Sequence, residues 1–484
     1  MSPRLLAQVP DPEISGRRHG LSSREPELRD VTRETACALA NSLRSGTRRV
    51  RDVVEAHLDR IVARDSVLSA FITVNEHGAR ADADRLDKVP PEQRGVLHGL
   101  PIAIKDLTDT NGIRTTYGSA LFADHVPASD DLAVSRLRNA GAVILGKSNT
   151  PEFGFGAICS NQLCGSTRNP FDHALTSGGS SGGSAVAVAT GMVALAHGTD
   201  FGGSVRTPAS FCGVASIRPT PGAVPAPTRT LGWDTLATHG VMARNVADCA
   251  LMLGVMTGTD PRDPTSRSSS LTPQVNRPRI AISSDLGVAP MSLECRERFS
   301  EVTAHMARHF GPVTSAAPDC QGSADIFKVL RAAQVEHSFG HLSSRFKQAL
   351  TPAVAWNIAQ GQNITAHDYL AAEAKRTALY RNFIKFFSEY DLLITPAASI
   401  LPWSNEIAEI TAIDGTALAS ILDYLTITST ISLVGFPVLT IPTPQGSHSL
   451  PFGVQVIARP GEESLLVSFG LQLETANFIH QFAA

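Results

Sequence analysis

The hydrophobic positions of this chain follow helical spacing in some stretches and strand spacing in others, which predicts a protein built from both elements. Early in the chain, apolar positions three and four residues apart fall on one side of a helix: Val50, Val53, Val54, His57 and Ile61. The pattern predicts further helices over 131–140, 326–350, 365–390 and 463–478, and strands over 68–74, 101–105, 142–146, 192–196, 279–283, 391–395, 438–441 and 452–457. Strand–helix–strand order recurs through residue 220, which predicts an α/β domain with a largely buried mixed sheet.

Composition narrows the classes of partner. The 484 residues are 43% hydrophobic and 18% charged, with a formal net charge of −3, so neither nucleic acid nor a membrane surface is indicated as a partner. Residues 1–30 are rich in charged residues and proline and lack the apolar segment of a secretory signal. We therefore expect a flexible leader followed by one domain over 31–484. Seven scattered cysteines without C-x-x-C spacing indicate neither a zinc site nor a disulfide framework and favour a cytoplasmic protein.

Two serine-bearing glycine clusters lie close together in the sequence. The first is Gly-Gly-Ser-Ser-Gly-Gly over 178–183, and the second is Asp-Phe-Gly-Gly-Ser over 200–204. Glycine lets the backbone approach a ligand closely, and amides at the ends of elements are free to face a substrate oxygen. One such cluster alone is weak evidence for a site. The pair, with Lys105 upstream at the end of a predicted strand, favours catalysis.

These motifs resemble the signature of the amidase signature family, serine hydrolases that use a Ser–Ser–Lys triad. The resemblance rests on Lys105 in GLPIAIKD, on Ser180 in GGSSGG and on Ser204 in GTDFGGSVR. Further matches lie over 146–153, 208–213 and 451–456. The resemblance implies an amidase acting on a small-molecule amide without a metal or cofactor.

The family likeness also implies an architecture. It covers about residues 45–255 well and 380–480 loosely. We expect the amidase signature fold, in which helices cover both faces of a large, twisted mixed sheet. Its signature core spans about 95–255, and a variable region that shapes the substrate site spans about 262–390.

The resemblance assigns a role to each member of the triad. Ser204 is the nucleophile, Lys105 is the base, and Ser180 relays the proton between them. A lysine amine acts as a base only when it is neutral, whereas its ordinary pKa is near 10.4. Burial beside Ile102 and Ile104 can lower that pKa by the necessary amount.

Other groups are expected to support the triad. The family implies a cis peptide bond between Gly179 and Ser180. We expect the oxyanion hole to consist of the backbone N–H groups of Phe201, Gly202, Gly203 and Ser204. Three side chains are expected to hold the loops in place: Ser181, Asp200 and Arg206. Four are expected to line the substrate pocket: Phe155, Ile158, Trp403 and Tyr424.

Alternative functions remain open at this point. The same family contains the amidotransferase A subunit, which releases ammonia from glutamine within a multi-chain assembly, although a threonine is common there in place of Phe201. The Gly178–Gly182 stretch also matches the G-x-S-x-G elbow of Ser-His-Asp esterases, with Ser180 as nucleophile, but that motif needs a strand before it, and residues 169–173 resemble a loop. A binding protein without activity would not need the complete triad. Esterase activity and a homodimeric state are also left open.

Overall fold

The computed structural model describes residues 31–272, 277–346, 349–445 and 448–476, and the predicted leader over 1–30 lies outside them. The helices with described bounds are α1 Ala36–Ser45, α2 Val50–Leu68, α3 Glu76–Leu86, α4 Leu132–Asn139, α5 Gly182–Ala189, α6 Arg206–Cys212, α7 Val246–Met256, α8 Leu293–Phe310, α9 Ser323–Phe346, α10 Pro352–Gly361, α11 Ala366–Glu389, α12 Ile421–Tyr424, α13 Thr426–Val434 and α14 Glu463–Thr475. Sequence signals set several of these ends. Thr365 and Asp368 form the predicted capping box at the start of α11, each side chain bonding the other residue's backbone N–H.

Fifteen strands are described, and eleven of them form one sheet. Their bounds are β1 Phe71–Val74, β2 Pro101–Lys105, β3 Val143–Ser148, β4 Ser160–Asn161, β5 Gly165–Ser166, β6 Leu195–Asp200, β7 Ala215–Arg218, β8 Thr238–Ala243, β9 Ile280–Ile282, β10 Thr314–Ser315, β11 Leu392–Pro396, β12 Ala412–Ile413, β13 Thr416–Ala417, β14 Val438–Pro442 and β15 Gly453–Ile457. The large sheet has the order β1-β3-β2-β6-β8-β7-β14-β15-β11-β9-β10, and two small hairpins, β4–β5 and β12–β13, stand apart from it.

The large sheet is mixed, as predicted. Strands β3, β2 and β6 run parallel to one another, and so do β11, β9 and β10. The strands between these groups pair antiparallel. Every residue of β2, β3, β7 and β8 is buried. Strands buried on both faces require cover on both faces, which the helices supply, and the predicted α/β architecture is confirmed.

Several predicted boundaries are wrong by a few residues, for identifiable reasons. The predicted strand over 68–74 starts only at Phe71, because α2 continues to Leu68 and a left-handed Ser69 ends it. The predicted strand over 192–196 is instead Leu195–Asp200, which brings Asp200 into the sheet. The predicted helix over 326–350 ends at Phe346, and a separate helix that the pattern did not predict begins at Pro352, which holds the residue before it in an extended conformation.

Asp200, at the end of β6, connects the two halves of the sheet through two buried arginines. Its carboxylate accepts hydrogen bonds from Arg206 Nε at 3.0 Å and Nη2 at 2.8 Å, and from Arg218 Nη1 at 3.2 Å. All three side chains are fully buried. Burial alone would raise the pKa of Asp200, but the charges of Arg206 and Arg218 hold it well below the ordinary range.

Arg206 extends this network to the C-terminal part of the chain. It donates to Thr428 O at 2.8 Å, to Ser432 Oγ at 2.7 Å and to Gln455 Oε1 at 3.0 Å. Gln455 in turn donates to Thr395 Oγ1 at 2.8 Å. One arginine therefore joins α6, α13 and β15, and the network links the strand that carries Asp200 to the far side of the sheet.

Replacing Asp200 with asparagine should lower the free energy of unfolding by about 3–5 kcal/mol, because it leaves two buried guanidinium groups without a counter-charge. Denaturant unfolding at neutral pH measures the change. Asp391→Asn is the matched control: its pair with Arg279 at 2.8 Å is partly exposed, and its loss should cost less than about 1 kcal/mol. Equal losses in the two variants would contradict the central role of the Asp200 network.

Candidate active site

Parallel pairing brings the candidate catalytic groups to one edge of the sheet. Lys105 is the last residue of β2, and Asp200 is the last residue of the parallel neighbour β6. The carboxyl ends of parallel strands meet at the same edge. Ser180 lies just before α5, and Ser204 lies between β6 and α6. Both glycine clusters therefore converge where Lys105 ends its strand.

Lys105 lies in a closed polar environment at this edge. Its side chain is fully buried, and Nζ donates to Ser180 Oγ at 2.7 Å and to Thr199 Oγ1 at 3.0 Å. Burial lowers the pKa of Lys105 to about 7, against smaller opposing effects of Cys159 and Asp200. The neighbouring Asp106 does not pair with it, since its carboxylate accepts from the backbone N–H and hydroxyl of Thr116. A large fraction of the amine is therefore neutral near physiological pH.

The loop before α5 places Ser180 between the lysine and the second glycine cluster. The Gly179–Ser180 peptide is cis, as the family resemblance implied. A Cβ on Gly179 would lie 2.4 Å from the carbonyl oxygen of Gly156, so only glycine fits there. Ser181, the next residue, donates its hydroxyl to Thr199 O at 3.2 Å and its N–H to Ser204 O at 3.1 Å. Ser181 therefore ties the two glycine clusters together.

The loop after β6 presents Ser204 and a set of backbone amides. Among the described residues, the Ser204 hydroxyl has no hydrogen-bond partner, and it lines the adjoining cavity. The N–H groups of Gly203 and Val205 donate to the Asp200 carboxylate at 3.0 and 3.1 Å. Gly203 has a φ of 129°, and a Cβ there would lie 2.5 Å from Thr428 Oγ1. The loop is thus fixed from behind by Asp200, with Ser204 facing the cavity.

A cavity of about 650 Å³ opens from these loops. Its wall includes Ser180, Thr199 and Ser204, and its other contributors are mainly aromatic and aliphatic. Phe153 and Phe155 pack on Phe339 with ring centroids 5.0 and 5.4 Å apart. On another side, Phe201 and Phe327 make an edge contact at 5.9 Å. The cavity has the size and apolar character of a small-molecule site with a few convergent polar groups.

Of the four pocket residues predicted from sequence, Phe155 lines this cavity and the other three do not. Ile158, Trp403 and Tyr424 instead belong to a separate hydrophobic cluster. Within it, Trp403 meets the ring of Tyr424 at 5.4 Å and that of Phe211 at 6.0 Å. Its indole N–H donates to Ile407 O at 2.9 Å. Ile158, Trp403 and Tyr424 therefore pack in this cluster and not in the wall of the cavity, where they were predicted.

Sequence reasoning did not find several residues of the site. Thr199 accepts from Lys105 and carried no motif signal beyond its position next to Asp200. The cavity wall also takes Arg331, Gln334 and Phe339 from α9. Arg331, Gln334 and Ser338 follow one another at steps of three and four residues, which places them on one face of α9, and this spacing is the signal that could have identified that wall.

Neither a metal cluster nor a membrane span was found in the described ranges. No three His, Cys, Asp or Glu side chains there lie close enough together to hold a metal ion. None of the helices described is both long and apolar enough to cross a bilayer.

Comparison with known proteins gives consistent results. A family model described as Amidase matches residues 52–467. The A subunit of glutamyl-tRNA(Gln) amidotransferase from Alkaliphilus metalliredigens is 31% identical over 89% of this chain and 94% of its own length. An acylamidase of Rhodococcus erythropolis is 29% identical over 91% of this chain and 94% of its own.

Structural similarity leads to the same family. A bacterial aryl acylamidase described as a member of the amidase signature enzymes superposes with a TM-score of 0.84 and 25% identity, covering 92% of this chain and 96% of its own. With the family model matching most of the chain, the protein belongs to the amidase signature family, whose members act on amide C–N bonds.

Proposed function

We propose that this chain is an amidase that hydrolyses a carboxylic amide through an acyl-enzyme on Ser204. Ser180 relays protons, and Lys105 is the base. The observation that carries the proposal is the fully buried amine of Lys105, bonded to Ser180 Oγ at 2.7 Å, at the edge of a cavity that Ser204 also lines. When the Lys105 amine is neutral, its nitrogen has a lone pair that can accept a hydrogen bond. The hydrogen bond between the two groups is then donated by the Ser180 hydroxyl and accepted by Lys105 Nζ.

Acylation begins when Ser204 Oγ attacks the amide carbon. The Ser204 proton passes to Ser180 Oγ while the Ser180 proton passes to Lys105 Nζ. When the tetrahedral intermediate collapses, the C–N bond breaks and the protons return along the same route to the leaving nitrogen. Water then attacks the ester, and the same groups release the carboxylic acid and restore Ser204.

The tetrahedral oxyanion needs hydrogen-bond donors that are not already engaged. Among the four backbone amides expected from sequence, Gly203 N–H donates to Asp200 at 3.0 Å, so we leave it out of the proposed hole. The N–H groups of Phe201, Gly202 and Ser204 have no acceptor among the described residues. We propose these three as the donors, with Asp200, Arg206 and Ser181 holding their loops.

The amidotransferase A subunit is the second candidate, because the one from Alkaliphilus metalliredigens is 31% identical over most of the chain. The cavity wall instead favours an amide that carries an apolar or aromatic portion. That wall carries Phe201 packed on Phe327, and Phe153 and Phe155 also contribute to it. The G-x-S-x-G alternative is disfavoured, because no strand of the described chain ends directly before Ser180 and its hydroxyl bonds a lysine.

Ser204→Ala should abolish labelling by a fluorophosphonate probe and lower amide hydrolysis by at least about 1,000-fold, because it removes the nucleophile. Gel fluorescence and product release measure both effects. Ser388→Ala is the matched control and should retain labelling, since this exposed serine near the end of α11 bonds Lys385 O and lies outside the cavity wall. Labelling that survives in Ser204→Ala and disappears in Ser180→Ala would instead identify Ser180 as the nucleophile.

Lys105→Met should change how stability depends on pH. In the unfolded chain the amine stays charged up to about pH 10, whereas in the folded protein its pKa is about 7. Between these two pH values the unfolded chain binds a proton on Lys105 that the folded protein does not bind. Lys105 therefore makes the free energy of unfolding rise with pH, by up to about 1.4 kcal/mol per pH unit. The methionine variant should lose this rise and also lose activity.

Denaturant unfolding from pH 6 to 9 tests this expectation. The wild-type free energy of unfolding, minus that of Lys105→Met, should increase with pH over this range. Lys385→Met, at an exposed lysine, should follow the wild-type curve. Parallel curves for wild type and Lys105→Met would show that the folded protein does not hold a neutral lysine.

The purified chain alone should hydrolyse simple aryl amides such as anilides. An amidotransferase subunit should instead be inactive on them and should release ammonia from glutamine only with its partner chains. Two measurements separate the functions: release of aniline from an anilide reports the amidase, and release of ammonia from glutamine reports the amidotransferase subunit. Glutamine hydrolysis without any anilide hydrolysis would overturn the proposed preference.

A further inference from the structure

Arg331, on α9, is a buried cation in the wall of the catalytic cavity without an acidic partner. Its side chain is 8% exposed, and it lines the same cavity as Ser180 and Ser204. In the described part of the chain, its one hydrogen-bond acceptor is Asn357 Oδ1, and no carboxylate oxygen lies within 4.0 Å of it. A guanidinium has five N–H donors and stays charged in proteins. Most of its donor capacity is therefore unused.

Four other arginines of the described chain are buried. Arg298 has one acceptor, Leu450 O, but the charge of nearby Glu294 partly offsets the effect of its burial. Arg206 and Arg218 share the Asp200 carboxylate. Arg244 donates to three backbone carbonyl groups, those of Glu34, Val188 and Val193. Arg331 has one neutral acceptor and an open cavity beside it, and burial lowers its pKa to about 10 with no charged group offsetting that effect. A buried guanidinium with unused donors beside an open cavity is suited to binding an anionic group.

Neither acidic residue of the described cavity wall, Asp234 or Glu409, forms an ion pair with Arg331. Asp234 accepts from Gln334 Nε2 at 3.0 Å and from the Leu236 N–H at 2.9 Å. Glu409 is exposed and makes no ion pair with Arg331. The second cation of the wall, Arg229, donates to the backbone carbonyls of Asp234 and Ala237. Arg331, with one acceptor against two for Arg229, therefore has more donors left for a ligand.

Packing places Arg331 on the side of the cavity that begins at the relay serine. Its guanidinium carbon lies 5.3 Å from the centroid of the Phe155 ring. Phe155 follows Gly154, where an added Cβ would lie 3.4 Å from Ser180 Oγ. The Phe155 ring also contacts that of Phe339, and the two rings form an apolar surface beside the guanidinium in the wall of the same cavity. This arrangement suits a group with an apolar spacer and an anionic end.

We propose that Arg331 binds a carboxylate at the far end of the substrate's acyl group, so that this enzyme prefers ω-carboxyacyl amides to neutral ones. The inference rests on the proposed amidase function and names its substrate class. The planar guanidinium pairs with a carboxylate through two parallel N–H···O bonds, while the methylene spacer lies on the Phe155 and Phe339 rings. Arg331 is thus a specificity-determining residue, and the reaction chemistry remains with the triad.

The test compares matched p-nitroanilides that differ in the terminal group. Succinyl, glutaryl and adipoyl p-nitroanilides are each set against the neutral acyl p-nitroanilide of equal chain length. At the acyl chain length that the wild-type enzyme cleaves best, its kcat/KM should be higher for the carboxylated p-nitroanilide than for the neutral one. In Arg331→Met, the ratio of carboxylated to neutral kcat/KM should fall about 10- to 100-fold, as expected for loss of a charged hydrogen-bonding partner.

Arg298→Met is the matched control. Arg298 is also a buried arginine over a phenylalanine, 5.3 Å from the centroid of Phe452, but it donates to Leu450 O and does not line the cavity. The substrate ratio should stay at the wild-type value in that variant. A wild-type preference for the neutral amides, or an Arg331→Met variant whose substrate ratio is unchanged, would overturn the proposal.

Failure of the amidase function is distinguishable from failure of this inference. If wild-type enzyme cleaves none of the anilides, the proposed function fails, and the intact glutaryl anilide then serves as a binding probe in calorimetry. Binding to wild type and to Arg298→Met, with loss in Arg331→Met, would still support the anion site. Absence of binding to wild type would refute it.

Discussion

The burial of one amine governs the arrangement of this site. Lys105 ends a fully buried strand, and the free-energy cost of keeping an ammonium there lowers its pKa to about 7. That outcome depends on what surrounds it. Ser180 and Thr199 offer neutral hydroxyls, and Asp106 is turned toward Thr116. A carboxylate in direct contact with the amine would have restored its charge.

The carboxylate of Asp200 does not pair with the Lys105 amine, because other groups already occupy it. Asp200 ends the strand next to Lys105, yet its carboxylate is committed to Arg206, Arg218 and the backbone of the following loop. One residue thereby serves two needs. It holds the loop that carries Ser204, and it does so without forming an ion pair with the candidate base.

Sequence alone predicted the α/β architecture and the residues at the centre of the site, because glycine clusters and a strand-end lysine leave local signals. It predicted the pocket poorly. Trp403 packs between Tyr424 and Phe211, and Phe211 is distant from both in the sequence. Contacts between distant segments produce no periodic pattern in the sequence. Arg331 was missed for a related reason. Only the packing of α9 against α10 and Phe155 shows that its charge lacks an acidic partner.

The reach of Arg206 along the chain has a consequence for how the protein matures. This side chain bonds Thr428, Ser432 and Gln455, more than 220 positions away in sequence. The last of these partners, Gln455, is synthesised 249 residues after Arg206, so the network that holds the segment around Ser204 is complete only when most of the chain exists. A nascent chain that ends before α13 contains both signature serines and the lysine but none of these three partners of Arg206.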